Sequence, residues 1–160
     1  MRGFTLIEIL VVLVIVAIIV TMAAVHFGPS DTDRAQQEAE RLQLLLENAS
    51  DEAIATGQTL GWSIDGNSGY RFWRQTETGW QMVDDNDLLR PRTLPDRIRV
   101  DNVRVNLAPA SEGRVVFLPS GVNTPFSMDV STENFVRRLT ADPIGHIQIS
   151  GGSDAAPAAQ

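Results

Sequence analysis

Few residues of this chain have the types and spacing that chemistry needs. Glu8 stands out, a carboxylate directly ahead of twelve uninterrupted apolar residues at positions 9–20. At membrane depth a carboxylate costs roughly 2.5–3.5 kcal/mol on insertion scales, so such a group calls for a partner. The two histidines offer less. His26 sits at the edge of the apolar run, where an interfacial ring is ordinary, and His146 lies in the alternating stretch GHIQIS, read as a strand. Ser120 in LPSGV follows a strand but lacks the glycine pattern of a nucleophile elbow, and reads as a turn. Asp84, Asp85, Asn86 and Asp87 are oxygen ligands of the kind calcium takes. They lack the D-x-[DN]-x-[DN]-G spacing and read as a solvated turn. No catalytic residue, metal site or cofactor is therefore expected, and the chain is not expected to be an enzyme.

The bulk composition narrows the partners. With 160 residues the chain has room for about one domain. It has no cysteine, which excludes disulfides, thiolate metal sites and a cysteine nucleophile. All 13 basic residues are arginine, and the net charge is −7. That balance disfavours nucleic acid as a partner, because phosphates must be neutralised, and anionic lipid headgroups for the same reason.

The elements that position Glu8 come next. From Phe4 to Phe27 the polar residues are Thr5, Glu8, Thr21 and His26. As a helix this stretch is ~36 Å long, enough for a bilayer core of ~30 Å. Arg2 is the basic residue at its start, which predicts a cytoplasmic N-terminus and the remaining chain outside. The apolar run is too long for a secretory signal, and no Ala-x-Ala-like cleavage site follows it. The segment is therefore expected to stay.

The hexapeptide GFTLIE, at residues 3–8, followed by a long apolar helix resembles the class III leader of type IV pilins and type II secretion pseudopilins. The resemblance implies that a prepilin peptidase cuts between Gly3 and Phe4 and methylates the new Phe4 amino terminus. Glu8 then becomes the fifth mature residue. In a fibre its carboxylate pairs with the Phe4 ammonium of a neighbouring subunit, each charge relieving the other's burial cost.

Gly28-Pro29 interrupts the helical pattern. Beyond it, Asp33 with Gln36 reads as a capping box. Ala35, Ala39, Leu42, Leu46, Ala49 and Ala53 step by three and four along one helical stripe, with Arg34, Glu38, Arg41, Glu47 and Asp51 expected off it. Gly57 reads as the stop. This predicts one long helix in two parts, the second packing its small-residue stripe on a sheet.

After Gly57 the pattern becomes short strands and turns. Strands are expected at TLGWSID, YRFWRQT, WQMV, IRVDNVRVN, RVVFLP, FSMDVS, NFVRRLT and GHIQIS, in one mostly antiparallel sheet or two small ones. DDNDLLRPRTLPD reads as an irregular link in which Pro91 and Pro95 bar regular pairing, with Arg90 and Arg92 free to meet nearby aspartates or acidic neighbours. Trp62, Tyr70, Phe72, Trp73 and Trp80 are read chiefly as core, with some available to an interface. One of Arg137 and Arg138 is expected to pair with a carboxylate and the other to face solvent. The fold class is thus α+β, a long helix on an antiparallel β head. Its expected segments are a leader at 1–3, a transmembrane and fibre-core helix at 4–27, an amphipathic helix at 28–56, a periplasmic β-rich head at 57–150 and a mobile tail at 151–160.

GYRFWR at 69–74, Gly79-Trp80, LRPRTLP at 89–95 and ASDEAIATGQTLGW at 49–62 are similar to the H branch of minor pseudopilins, the GspH/FimT-like family. That resemblance implies a subunit near the tip of a periplasmic pseudopilus that exports folded proteins. Its partners would be the peptidase, the major and other minor pseudopilins and the inner-membrane assembly platform. The alternatives are a FimT-like minor pilin of a type IV pilus and a membrane-anchored periplasmic enzyme. The tail GGSDAAPAAQ lacks the basic residues a DNA-binding pilin head would carry, and no polar cluster for an enzyme can be assembled.

Overall fold

A computed structural model describes residues 5–25, 30–66, 69–109 and 114–151 of the chain. Gly3 and Phe4, His26, the Gly28-Pro29 interruption and the tail from residue 152 lie outside the described residues, as does the expected join between the two helical parts. The chain divides into two compact units, Met1–Ser30 and Asp31–Gln160.

The first unit contains α1, Leu6–Val25. Its start is closed by the Thr5 carbonyl, which accepts from the Glu8 N–H at 3.0 Å. Thr21 returns its hydroxyl to the Ala17 carbonyl at 2.7 Å, so this polar side chain is satisfied within the helix. Large aliphatic side chains are exposed on every side, from Leu6 and Ile7 to Ile19 and Val20. A helix that is apolar all round requires an apolar surround. The stretch with described side chains, residues 6–21, falls short of the ~20 apolar residues a span needs. Among the described residues no helix is long and apolar enough to cross a membrane.

The second unit opens with α2, Asp31–Thr56. Asp31 and Asp33 sit in its first turn, where carboxylates suit the positive helix end. The helix starts two residues before the expected cap, so Asp33 is inside the first turn rather than at its edge. Thr56 ends it, and Gly57 follows with φ of 69°, the left-handed geometry glycine adopts without strain. All six predicted stripe residues are buried, with Leu45 beside them. Glu38 corrects the expected pattern: it too is buried, since it lies on the stripe's edge by helical spacing.

Among the described residues ten strands form two antiparallel sheets. The first contains β1 (Leu60–Asp65), β2 (Gly69–Thr76), β3 (Gly79–Met82), β4 (Arg92–Thr93) and β7 (Arg114–Phe117), in the order β3-β2-β1-β7 with β4 also on β2. The second contains β5 (Arg99–Val105), β6 (Ala108–Pro109), β8 (Phe126–Ser131), β9 (Val136–Ala141) and β10 (Ile147–Ser150), in the order β10-β9-β8-β5-β6. In β2 Tyr70 and Phe72 face the core, and in β7 Val115 and Phe117 do so, as the two-residue period of the pleat requires. Trp62, Tyr70, Phe72, Phe117, Met128 and Leu139 are among the largest fully buried side chains, and they share one core with the α2 stripe.

Two short strands depart from the sequence reading. The link between β3 and β5 is not wholly irregular. Arg92 and Thr93 pair with Tyr70 and Gly69, and Leu89 and Leu94 are buried beneath it. The prolines flank that pairing rather than block it, so their missing N–H groups break no ladder bond. A Cβ at Gly69 would lie 2.3 Å from the Arg92 carbonyl oxygen, so only glycine permits this approach.

The second departure is the β5–β6 hairpin. Asn106 and Leu107 form its two-residue turn with φ of 52° and 67°. Both positions are left-handed, as in the turn that favours Asn-Gly, and leucine pays roughly 1–2 kcal/mol there. Leu107→Gly is therefore expected to raise stability by about 1 kcal/mol, read as a higher midpoint in thermal unfolding. An unchanged or lower midpoint would count against the strain.

Candidate assembly interface

Glu8 sits in the first turn of α1 with its side chain exposed among Leu6, Ile7, Ile9 and Leu10. A carboxylate there favours the positive end of the helix. It is the one ionisable residue on α1. The arrangement is a lone negative charge near the end of an apolar rod. In an apolar surround it would demand a cation, because an unpaired buried charge is strongly unfavourable. The expected partner atom, the amino group of Phe4, lies outside the described residues, as does the Gly3–Phe4 bond.

Among the described residues of the β-bearing unit, three side-chain nodes brace the fold. Glu38 accepts from the Tyr70 hydroxyl at 3.2 Å and pairs with Arg41 at 3.4 Å. Burial, with the Glu38 charge beside it, pushes the Tyr70 hydroxyl well above its ordinary pKa. This phenol stays protonated and serves as a donor, not as a base.

Asp129 lies under the outer face of the second sheet. It accepts two bonds from Arg138, at 2.7 and 2.8 Å, and one from Asn102 at 2.9 Å. A register shift in β5 between Asp101 and Arg104, with Asn102 at φ of 51°, aims the asparagine at it. Burial pushes the Asp129 carboxyl up, but the Arg138 and Asn102 hydrogen bonds outweigh it and hold it below the ordinary value. A carboxyl whose pKa is lower folded than unfolded adds stability above its unfolded pKa of ~3.9 and loses that contribution as pH falls through the folded value. Asp129→Asn is expected to flatten the acid limb of the stability–pH curve below about pH 4. An acid limb identical to wild type would show that Asp129 is not linked to folding.

The third feature is an aromatic platform on the outer face of the first sheet. The Arg114 guanidinium lies 5.3 Å from the Trp73 ring centre and 4.6 Å from that of Trp80. Gly61 makes room, since a Cβ there would come 2.8 Å from Arg114 Cδ. Trp73 donates its indole N–H to Ser63 Oγ at 2.8 Å. The five clustered aromatics thus divide by strand face: Trp62, Tyr70 and Phe72 are core, Trp73 and Trp80 half-buried outside.

The remaining candidates have local roles. Asp85 pairs with Arg74 at 2.9 and 3.1 Å, and that hydrogen bond holds its carboxyl below the ordinary range. Asn86 Oδ1 accepts from the Leu88 and Leu89 N–H groups at 2.9 and 3.3 Å. Arg92 donates to the backbone carbonyls of Leu88 and Asp87, at 3.1 and 3.5 Å, rather than to an aspartate carboxylate. Among the described residues no group of three or more His, Asp or Glu is placed to hold a metal ion. Ser120 closes a turn by accepting from Val122 N–H at 3.3 Å. His146 lies in the turn before β10, not in the strand as expected, because Asp142 Oδ1 accepts from its N–H at 3.0 Å and folds the chain there. Arg138 takes the expected carboxylate, while Arg137 stacks 4.8 Å from the Phe135 ring centre.

Sequence comparison connects the two units. Residues 38–145, most of the β-bearing unit, match the family described as type II transport protein GspH. The chain belongs to that family. Residues 1–24 match the prokaryotic N-terminal methylation motif, so a GspH chain here carries the stem signature as well. A relative from Escherichia coli K12, type II secretion system protein H, is 30% identical over 139 residues, covering 79% of both chains. The minor pseudopilin EpsH from the type 2 secretion system of Vibrio cholerae shares the fold, with a TM-score of 0.61 and 25% identity over 74% of this chain and 98% of that one. The type IV minor pilin FimU of Pseudomonas aeruginosa is more distant, with a TM-score of 0.52 and 15% identity over 72% and 87% of the two chains. At that identity FimU shares the fold alone. The α+β head expected from the sequence is thus the GspH-type fold. Its bracing residues include Glu38, which the sequence places off the buried stripe, and Asn102 and Asn123, which no motif marks. Their side chains find partners 27 to 73 positions away, and no local pattern marks such pairs.

Proposed function

We propose that this chain is a minor pseudopilin of a type II secretion system, built into the periplasmic fibre near its tip and needed for export of folded proteins. The observation that carries the reading is the conjunction of an apolar stem bearing one carboxylate with a GspH-family head. In this reading residues 1–3 are a leader and prepilin peptidase cuts between Gly3 and Phe4. Phe4 becomes N-methylated and Glu8 pairs with the Phe4 ammonium of an adjacent subunit. Residues 4–27 hold the chain in the inner membrane with its start in the cytoplasm, then enter the fibre core on extraction by the assembly platform. The head, residues 57–150 with the helix before it, stands in the periplasm and meets the major and other minor pseudopilins. The protein is a substrate of an enzyme rather than an enzyme itself.

The test is a clean deletion of the gene complemented by the full-length chain. Release of exoproteins to the medium is measured beside pilus-dependent motility and DNA uptake. Lost release with normal motility and uptake is expected. Normal release with lost motility or uptake would overturn the reading in favour of a type IV minor pilin.

A further inference from the structure

Two loops and one face of α2 hold aliphatic side chains in solvent at fixed positions. Residues 118–123 follow β7 and residues 142–146 join β9 to β10. Asn123 ties both to the helix. Its side-chain N–H donates to Ser50 Oγ at 3.1 Å, its Oδ1 accepts from Leu118 N–H at 2.8 Å, and its backbone N–H donates to the Pro143 carbonyl at 2.8 Å. Ser50 and Asn123 are both buried, so water does not compete for these bonds. Each loop also closes a turn of its own, one through Ser120 Oγ and the other through Asp142 Oδ1, which accepts from Ile144 N–H at 3.0 Å. Gly121 and Gly145 press on α2 directly. A Cβ at the first would lie 3.3 Å from Ile54 Cδ1, and at the second 3.1 Å from Ser50 Oγ.

On these braced loops Leu118, Val122 and Ile144 are 40%, 62% and 78% exposed, beside Ile54 at 50% on α2. A cluster of exposed aliphatics marks an interaction surface, and groups already held rigid lose little freedom on binding. Its border is acidic. Glu47 and Asp51 share the helix face of Ile54, lying seven and three residues before it, and Asp142 borders Ile144. None of residues 42–56, 118–123 or 142–146 is an arginine or lysine.

We infer that this surface docks a different protein subunit, one that presents an apolar face bordered by lysine or arginine. Charge selects the occupant. Pairing the same surface of two copies would set carboxylate against carboxylate, and each copy carries a net charge of −7. Anionic lipid would be repelled likewise. The inference rests on the pseudopilin reading only for where the partner is met, in the growing fibre.

The chain has no cysteine of its own, so a single introduced one carries a label at one place. In secreting cells, full-length chains with Val122→Cys or Ile144→Cys are labelled with a maleimide-linked benzophenone and irradiated. Thr140→Cys, exposed on the outer face of the second sheet, is the control. The same heterologous subunit is expected to be cross-linked from positions 122 and 144 and not from 140. Joint Glu47→Arg and Asp51→Arg replacement should cut the yield about tenfold, and reversing the basic residues at the partner's cross-linked segment should restore it. Adducts with second copies or lipid alone, no adduct at 122 and 144 while release is normal, or a yield indifferent to charge reversal would each overturn the inference. Exoprotein release that is independent of the gene would instead overturn the pseudopilin reading, and a charge-dependent heterologous adduct would still stand.

Discussion

Glu8→Ala is expected to leave leader cleavage intact and remove the chain from the fibre. The peptidase is proposed to act at the Gly3–Phe4 bond, five residues from Glu8 in the precursor count, and the substitution leaves that bond unchanged. Assembly is different. In the proposed fibre the Phe4 ammonium of one subunit lies against the Glu8 carboxylate of another, inside a bundle of apolar stems. Removing one partner of a buried pair leaves the other uncompensated, at roughly 3–5 kcal/mol. At 1.4 kcal/mol per tenfold that is more than about a hundredfold loss of incorporation. Recovery of mature protein in sheared or cross-linked fibres measures it. Equal recovery of mutant and wild type would refute the role assigned to Glu8. Glu8→Gln separates charge from shape: it keeps the size of the side chain, and it too should fail.

Phe72→Ala is expected to destabilise the β-bearing unit by roughly 3–5 kcal/mol, from the lost burial and the cavity together. Phe72 is fully buried in the middle of β2 and packs edge-on against Tyr70, with ring centres 6.3 Å apart. Trp62 and the α2 stripe close the same space. The total stability of such a unit is about 5–15 kcal/mol, so the loss is a large share of it. A fall of the thermal midpoint on the order of 10–20 °C should follow, with less of the mutant surviving in cells. A change of only a few degrees would mean that the site collapses around the smaller side chain.

The two variants act on different units and should be distinguishable. Glu8→Ala should keep the wild-type thermal midpoint of the β-bearing unit, because Glu8 lies outside it. Phe72→Ala should leave leader cutting unaffected and lower the amount of folded chain available to the fibre.

The sequence by itself determined the elements and the stem's motif. Both are written locally. The unbroken apolar run predicts α1, the three-and-four spacing of Ala35 to Ala53 predicts the buried face of α2, and period-two alternation locates eight of the ten strands. GFTLIE is a contiguous motif, so its resemblance needed no fold. Only the tertiary structure decided the rest, because it depends on which distant residues meet. Glu38 sits at the edge of the buried helical stripe, and only the fold brings the Tyr70 hydroxyl, 32 residues on, across the core to its carboxylate. Arg92 and Thr93 become a strand because glycine at position 69 leaves space for their backbone. Leu107 enters a turn that its own preferences oppose, held there by the pairing of β5 and β6. Asp129, Asn123 and the braced aliphatic surface likewise exist through contacts between segments. The hydrogen bonds and close packing that fix them are satisfied across the fold rather than along the chain, and a one-dimensional pattern holds no trace of them.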